Sequence, residues 1–384
     1  MPAGYKKNFT NHAVYIPNFT TTDVAGVTFG GFEIDKYPCS QPSAVNAAGT
    51  GWYDVAHSGA AGVIPGISRP GVPVWDYITF PQAMIACANK GKGWHLTSAF
   101  EWASLAFLAK KLSSDDTRSW PGGGNNNVDP PANSVTATEI ALLDLHLHAE
   151  NGAYHRALPG TGPKTWSHNH AANGVFDLNG LAWEWVLLMM NTSGHAYVPA
   201  NLDVTYTGSP YGRGTTSGSG GATPTLTCDG AGVNWLKAWT ADEFNTDCWC
   251  YIAETAAFYQ VVDTTATTII LANGATPGNI TATFCIFKLI ATDITGGCTS
   301  GQKIVTLRDA DADLKYFAIP ATTDGTGVNG YGNDAYYFDK SAVRAAIRGG
   351  GFYNAADAGV FALSLHDAPS LADYAVGFRA CKAL

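Results

Sequence analysis

Short apolar runs, each broken by Gly, Pro, Asn or Thr, set the texture of this chain. Near its start, Val14-Tyr15-Ile16-Pro17 and the stretch from Val27 to Pro38 alternate apolar with polar positions. That period of two belongs to a strand with one face buried, so strands joined by turns are predicted here. Two stretches change period. In residues 80–90 the apolar positions recur at helical spacing, and Pro81 suits a first helical turn. A second helix is predicted over about 98–112. Thr97 or Ser98 can cap it, and Glu101, three residues after Ser98, completes a capping box. Residues 119–134 read as a long loop, and 173–186 form a compact aromatic unit. Residues 201–240 are rich in Gly, Ser and Thr. Over 255–308 the texture shifts to short β-branched runs, Phe258–Val262, Thr267–Leu271 and Lys303–Leu307. These predict a β-rich insertion at about 240–308. Residues 309–347 return to Asp-, Tyr- and Gly-rich loop, and 348–384 carry little regular period.

Composition narrows the picture. The 384 residues suffice for one large core or two smaller ones, and 43 Gly with 19 Pro fit a turn-rich fold. No apolar run approaches the roughly 18 residues a membrane span needs. The opening residues lead into no apolar stretch of signal-peptide type, so the general secretory route is not indicated. The formal net charge is −9, and the 22 Lys and Arg are scattered. A nucleic-acid surface needs clustered cations, so that class of partner is disfavoured. Eight cysteines are too few for a disulfide framework in a chain this long. Cys228, Cys248, Cys250, Cys285 and Cys298 leave open one disulfide, two or none. Their spacing does not favour zinc.

Four segments occur in order: Gly93-Trp94-His95-Leu96-Thr97-Ser98-Ala99-Phe100-Glu101-Trp102; Gly160 to Asn169; Val175-Phe176-Asp177-Leu178-Asn179-Gly180-Leu181-Ala182-Trp183-Glu184-Trp185; and Ile347-Arg348-Gly349-Gly350-Gly351-Phe352, closed by Val376-Gly377-Phe378-Arg379. Together they resemble the formylglycine-generating-enzyme type of C-type lectin fold. The second segment and the tail at 358–370 resemble, more narrowly, the variable proteins of diversity-generating retroelements. The likeness covers about 10–200 and 309–384. It implies one α+β C-type-lectin-like domain over 1–384, with the β-rich insertion inside it and a variable, ligand-binding region at 348–384. Trp102, Trp183 and Trp185 would fill its core. Arg348, Arg379 and Glu184 read as buried, hydrogen-bonded struts.

In that family a reverse transcriptase rewrites adenines near the 3′ end of the gene, so selected side chains change on a fixed backbone. The resemblance places these positions at Phe352, Tyr353, Asn354, Ala355, Asp357, Ser364, His366, Asp367, Leu371, Asp373, Tyr374 and Ala375. None is Met, Trp, Lys, Gln or Glu, the types that adenine mutation of an AAC codon cannot reach; those types are scarce enough here to make the test weak. Phe352 and Leu371 have a second reading as ordinary core residues. The interleaved Ala358-Gly359-Val360-Phe361-Ala362-Leu363, Leu365 and Ala368-Pro369 are apolar or turn-forming, as a supporting frame requires. Tyr and Phe give large contact area for little rotamer entropy, and Asp and His add hydrogen bonds and charge. The implied function is non-enzymatic binding of a macromolecule, a protein at a cell surface. The implied location is a virion or cell surface.

Two alternatives come from other classes. A formylglycine-generating-type metalloenzyme needs thiols beside the Arg-Gly-Gly segment. Residues 349–380 hold no cysteine, and Cys381 follows the last motif. Paired histidines, His146/His148 and His168/His170, have the spacing of two that on a strand puts both on one face, as related non-heme iron enzymes of this fold require; they read first as exposed loop histidines. A calcium-dependent sugar binder is the other alternative. Asp309, Asp311 and Asp313 begin like a calcium loop, but Leu314 stands where Gly is required and no Glu closes it, which excludes an EF-hand. No cofactor is expected, although the resemblance leaves room for a structural calcium ion.

Overall fold

A computed structural model describes residues 12–44, 64–112, 156–200, 211–218, 224–228, 248–264, 268–272, 277–325, 331–354 and 357–383. Among these residues the chain is mostly β, with two α-helices, α1 (Phe80–Ala88) and α2 (Ala99–Leu112). The α+β balance expected from sequence is thus weighted toward β.

Both helices start where their side chains satisfy the orphan N–H groups of a first turn. In α2 the Ser98 Oγ accepts from the Glu101 N–H at 3.2 Å, and Glu101 Oε2 accepts from the Ser98 N–H at 2.7 Å. In α1 the same box is made by Thr79 and Gln82.

Strand Trp183–Met190 is the centre of the molecule, and every residue of it is buried. Side chains alternate across a strand. Trp183, Trp185, Leu187 and Met189 enter one core with Phe80, Met84 and Ile85 of α1. Val186, Leu188 and Met190 enter another with Trp102, Leu105 and Phe107 of α2. Buried on both faces, the strand is apolar without alternation from Trp185 to Met190, and its one charged residue, Glu184, is buried too. Arg344–Arg348 pairs antiparallel with it on one side, His195–Pro199 pairs with its distal end, and Val376–Phe378 runs parallel to its start. Beyond Arg344–Arg348 the sheet continues through Leu363–Leu365, Ala335–Phe338, Gln302–Leu307 and Pro320–Asp324. A separate four-stranded sheet joins Ala13–Ile16, Phe32–Asp35, Ala380–Ala383 and Trp94–Leu96, and so holds the far end of the tail.

The β-rich segment expected over 240–308 begins earlier in the strand pairing. Tyr211–Ser217, Thr225–Cys228, Thr268–Leu271, Ala257–Thr264, Cys248–Ile252 and Thr281–Asp293 pair in that order, and the last returns to pair with the first. The ring is a small closed barrel. Its interior holds Leu226, Val261, Ile269, Leu271, Phe284 and Ile286 with Cys228, Cys248 and Cys250. Closure leaves no free edge, and polar Thr and Gly are tolerated on its outside. Gln302–Leu307, placed in the insertion by sequence, pairs instead with Pro320–Asp324 and Ala335–Phe338 of the main sheet. All eight cysteines are thiols, and all but Cys298 are buried.

Candidate functional site

The tail begins at a turn that only glycine can make. Gly349 and Gly350 have φ of +91° and +80°, and a Cβ on Gly350 would lie 2.4 Å from Ala358 Cβ. Beneath this turn Arg348 is fully buried and donates to the carbonyls of Phe317 (2.7 Å), Ala318 (3.1 Å) and Phe361 (3.1 Å). Burial lowers its pKa to about 9. Arg379 grips Glu184 with two bonds of 2.6 Å and reaches the carbonyls of Phe176 and Asp35. Both arginines are therefore struts that hold main chain.

Past the turn, the tail is held through its own backbone. The carbonyls of Leu365 and Asp367 accept from the N–H groups of Asp339 (3.1 Å) and Ala345 (3.0 Å), beside the central sheet. Pro369 O accepts from Phe80 N at the start of α1, and Asp373 O from Tyr77 N. Tyr374 O accepts from Arg156 at 2.9 Å, and Ala375 O from Trp183 N at 2.8 Å. Arg156 is itself fixed by a fully buried ion pair with Asp76. On the other limb, Val360 O accepts from the Trp102 indole at 2.7 Å, and Asp334 Oδ2 accepts from Phe361 N at 2.7 Å. Backbone carbonyls belong to every residue type, so these anchors survive a change of side chain at the positions that carry them.

Of the twelve candidate positions, Ala355 lies outside the described residues. Phe352 and Ala375 are fully buried and pack on each other, and Ser364 is 4% exposed. These three are corrected out of the outward-facing set: Phe352 packs on Ala375 and Tyr374, and Ser364 sits inside a strand whose neighbours Leu363 and Leu365 enter the core. Tyr353 is 39% exposed and His366 is exposed. Asn354, Asp357, Asp367, Leu371, Asp373 and Tyr374 are half-buried. Asn354 Oδ1 caps the turn by accepting from Gly351 N at 2.8 Å.

Most of these side chains are linked into one patch, while Leu371 packs against the core that holds α1. The rings of Tyr353, Phe352 and Tyr374 lie 5.5 to 6.5 Å apart, and Tyr77 lies 6.4 Å from Tyr374. Burial pushes the Tyr353 hydroxyl pKa up, and the charges of Asp373 and Asp367 push it further. Trp183 hydrogen-bonds Tyr353 and meets the Tyr337 ring edge-on at 6.2 Å. Tyr337 in turn donates to Asp357 at 3.1 Å, and Asp357 is ion-paired with Lys303. Asp367 accepts weakly from Ser364 Oγ (3.4 Å) and faces His366 at 3.9 Å; burial raises its pKa. Sequence reasoning missed Tyr77, Tyr337 and Lys303, which reach the patch from distant segments. The one local mark is Tyr77, whose φ of +49° is unusual for an aromatic residue.

The other candidates fall elsewhere. His146 and His148 lie outside the described residues. His168 is not an exposed loop residue: it is buried, its Nδ1 accepts from Val175 N at 2.8 Å, and burial lowers its pKa to about 4. Asp311 Oδ1 accepts from the N–H groups of Asp313 and Leu314, and Asp313 pairs with Lys288. Among the described residues no three His, Cys, Asp or Glu side chains gather as a metal ion requires. No helix among them is long and apolar enough to cross a membrane. Compared with known proteins, the chain matches no protein-family model and no curated sequence.

Proposed function

We propose that this chain is a non-enzymatic binding protein. Its tail presents interchangeable side chains on a C-type-lectin-type scaffold of the formylglycine-generating-enzyme subtype, in the manner of a diversity-generating retroelement's variable protein. The observation that carries this reading is the mode of anchorage. The display positions Asp367, Asp373 and Tyr374 are tied to the frame by backbone carbonyls, while their side chains, with Tyr353 and His366, form the patch. A preorganised backbone lets each variant change partner without a new ordering cost. The partner is a macromolecule, a protein at a cell surface. The absence of cysteine from 349–380 supports binding over formylglycine-type catalysis, as does Cys381, whose thiol is buried against Thr97 at 3.4 Å.

The test is a library in which the codons for Tyr353, Asn354, Asp357, His366, Asp367, Leu371, Asp373 and Tyr374 are randomised together. Most members should stay soluble and unfold cooperatively in urea, with midpoints lowered only by the side-chain contacts they lose. A second library of equal size randomises Ala346, Leu363, Leu365 and Phe378. It should collapse. Equal collapse of both libraries would refute the reading.

A further inference from the structure

The patch is acidic in a specific way, and this narrows the partner's chemistry. Asp357 is ion-paired with Lys303, and the nearby Asp339 with Arg344. Asp367 and Asp373 make no ion pair with Lys or Arg among the described residues. Asp367 has the Ser364 hydroxyl and the His366 ring, with the Arg344 charge, itself paired to Asp339, acting from farther off; Asp373 has a single bond, from the Ala375 N–H to Oδ1 at 2.8 Å. The charges of both carboxylates act on the Tyr353 hydroxyl; Tyr353 is 39% exposed, and the Tyr374 ring stands 6.5 Å from its own. Electron-rich ring faces attract cations, most of all when carboxylates stand beside them. Arg suits this setting best, because its flat guanidinium stacks on a ring while its fork meets a carboxylate. The chain's net charge of −9 would also draw a basic surface toward it at low salt.

We propose that this patch, in the variant in hand, recognises a basic protein surface. One Arg side chain would lodge against the rings of Tyr353 and Tyr374 and face Asp367 and Asp373. The inference rests on the display reading above and adds the class of partner.

The experiment pans a random twelve-residue peptide library against the immobilised full-length chain. Selected peptides are then measured against variants. Arg and Lys should rise at least about threefold over the input library. Asp367→Asn with Asp373→Asn should weaken the selected peptides about tenfold or more, since Asn keeps the oxygen that Ala375 needs and loses only charge. Asp367→Lys, at a side chain 24% exposed, should reject those peptides and select acidic ones. Tyr353→Ser with Tyr374→Ser should abolish binding while the tryptophan fluorescence of the fold is kept. Peptides that need the tyrosines but show no basic enrichment would overturn the cation preference and leave the display reading intact. Peptides indifferent to every variant would overturn both. A library that yields no binder counts against the cation preference.

Discussion

Tyr353 and Phe352 are neighbours in sequence with opposite roles, and removing each in turn measures the division between display and frame. Phe352 is fully buried, packed on Ala375 and in edge contact with Tyr353 and Tyr374. Phe352→Ala should cost about 3–5 kcal/mol, the range for truncating a buried aromatic. An aromatic side chain brings about 200 Å² of surface. Tyr353 is 39% exposed, so roughly 120 Å² of it is covered. At about 25 cal/mol per Å² that gives ~3 kcal/mol as an upper bound, and about 2 once the compactness of the unfolded chain is allowed for. His366 is exposed, and His366→Ala should change stability by about 0.5 kcal/mol or less. The assay is urea unfolding followed by tryptophan fluorescence, with the midpoint compared at unchanged slope. The partition is refuted if His366→Ala costs more than about 1 kcal/mol, or if Phe352→Ala costs no more than Tyr353→Ala.

Three further outcomes follow from the frame. Glu184→Gln takes the bidentate carboxylate from the buried Arg379 guanidinium, and should cost about 3–5 kcal/mol in urea unfolding, with Glu184→Gln/Arg379→Met recovering part of it. Gly350→Ala puts a Cβ against Ala358 at φ +80° and should destabilise by more than about 2 kcal/mol, whereas Gly351→Ala meets only side-chain atoms at 3.2 Å and beyond and should be mild by the same measurement. Asp334 is buried, and burial pushes its pKa up to about 7 from an ordinary 3.8. A raised carboxyl pKa means that the folded chain holds a proton the unfolded chain has released. The contribution is therefore full below pH about 4 and is lost as pH rises through about 7. Asp334→Asn should flatten the fall in urea midpoint between those limits by up to ~4 kcal/mol, and a slope equal to that of the parent would contradict this. Asp177, pushed up to about 7 by burial as well, keeps part of the slope in the variant.

Helix starts were open to reading because a capping box is local: Ser98 and Glu101 satisfy one another within a single turn. Thr79 and Gln82 make the same box one helix earlier, where Pro81 in the first turn is the more conspicuous local signal. The central strand was hidden by its own burial. With α1 on one side and α2 on the other, Trp183–Met190 has no polar face to reveal a period of two. The barrel was hidden for the opposite reason. Tyr211–Ser217 is rich in Gly and Thr, and only closure onto Thr281–Thr215-type pairs across distant sequence makes it a strand. Thr281–Asp293 serves two structures at once: within the barrel it pairs with Tyr211–Ser217 through Cys285 and with Cys248–Ile252 through Lys288, and from Phe287 onward it also pairs with His195–Pro199; no local pattern records that double duty.

The same division governs the candidate surface. Which tail positions point outward is decided by what lies beneath them, and what lies beneath comes from far away: Tyr77 under Asp373, Arg156 under Tyr374, Trp183 under Ala375, Ala345 under Asp367. Three of these contacts are made by backbone N–H groups, which leave no trace in residue type. Arg156 is legible only with its buried partner Asp76, and the two lie far apart in sequence. Apolar residues between the display positions were readable as a frame because burial demands them, and Val360, Phe361, Ala362, Leu363 and Leu365 are buried accordingly. Phe352 illustrates the limit. Its chemistry fits a binding surface as well as a core, and only the packing of Ala375 and the turn of Gly350 above Ala358 commits it to the interior. A side chain's role in this tail is thus set by the fixed carbonyls and the two positive-φ glycines, and the identity of the side chain is what those anchors leave free.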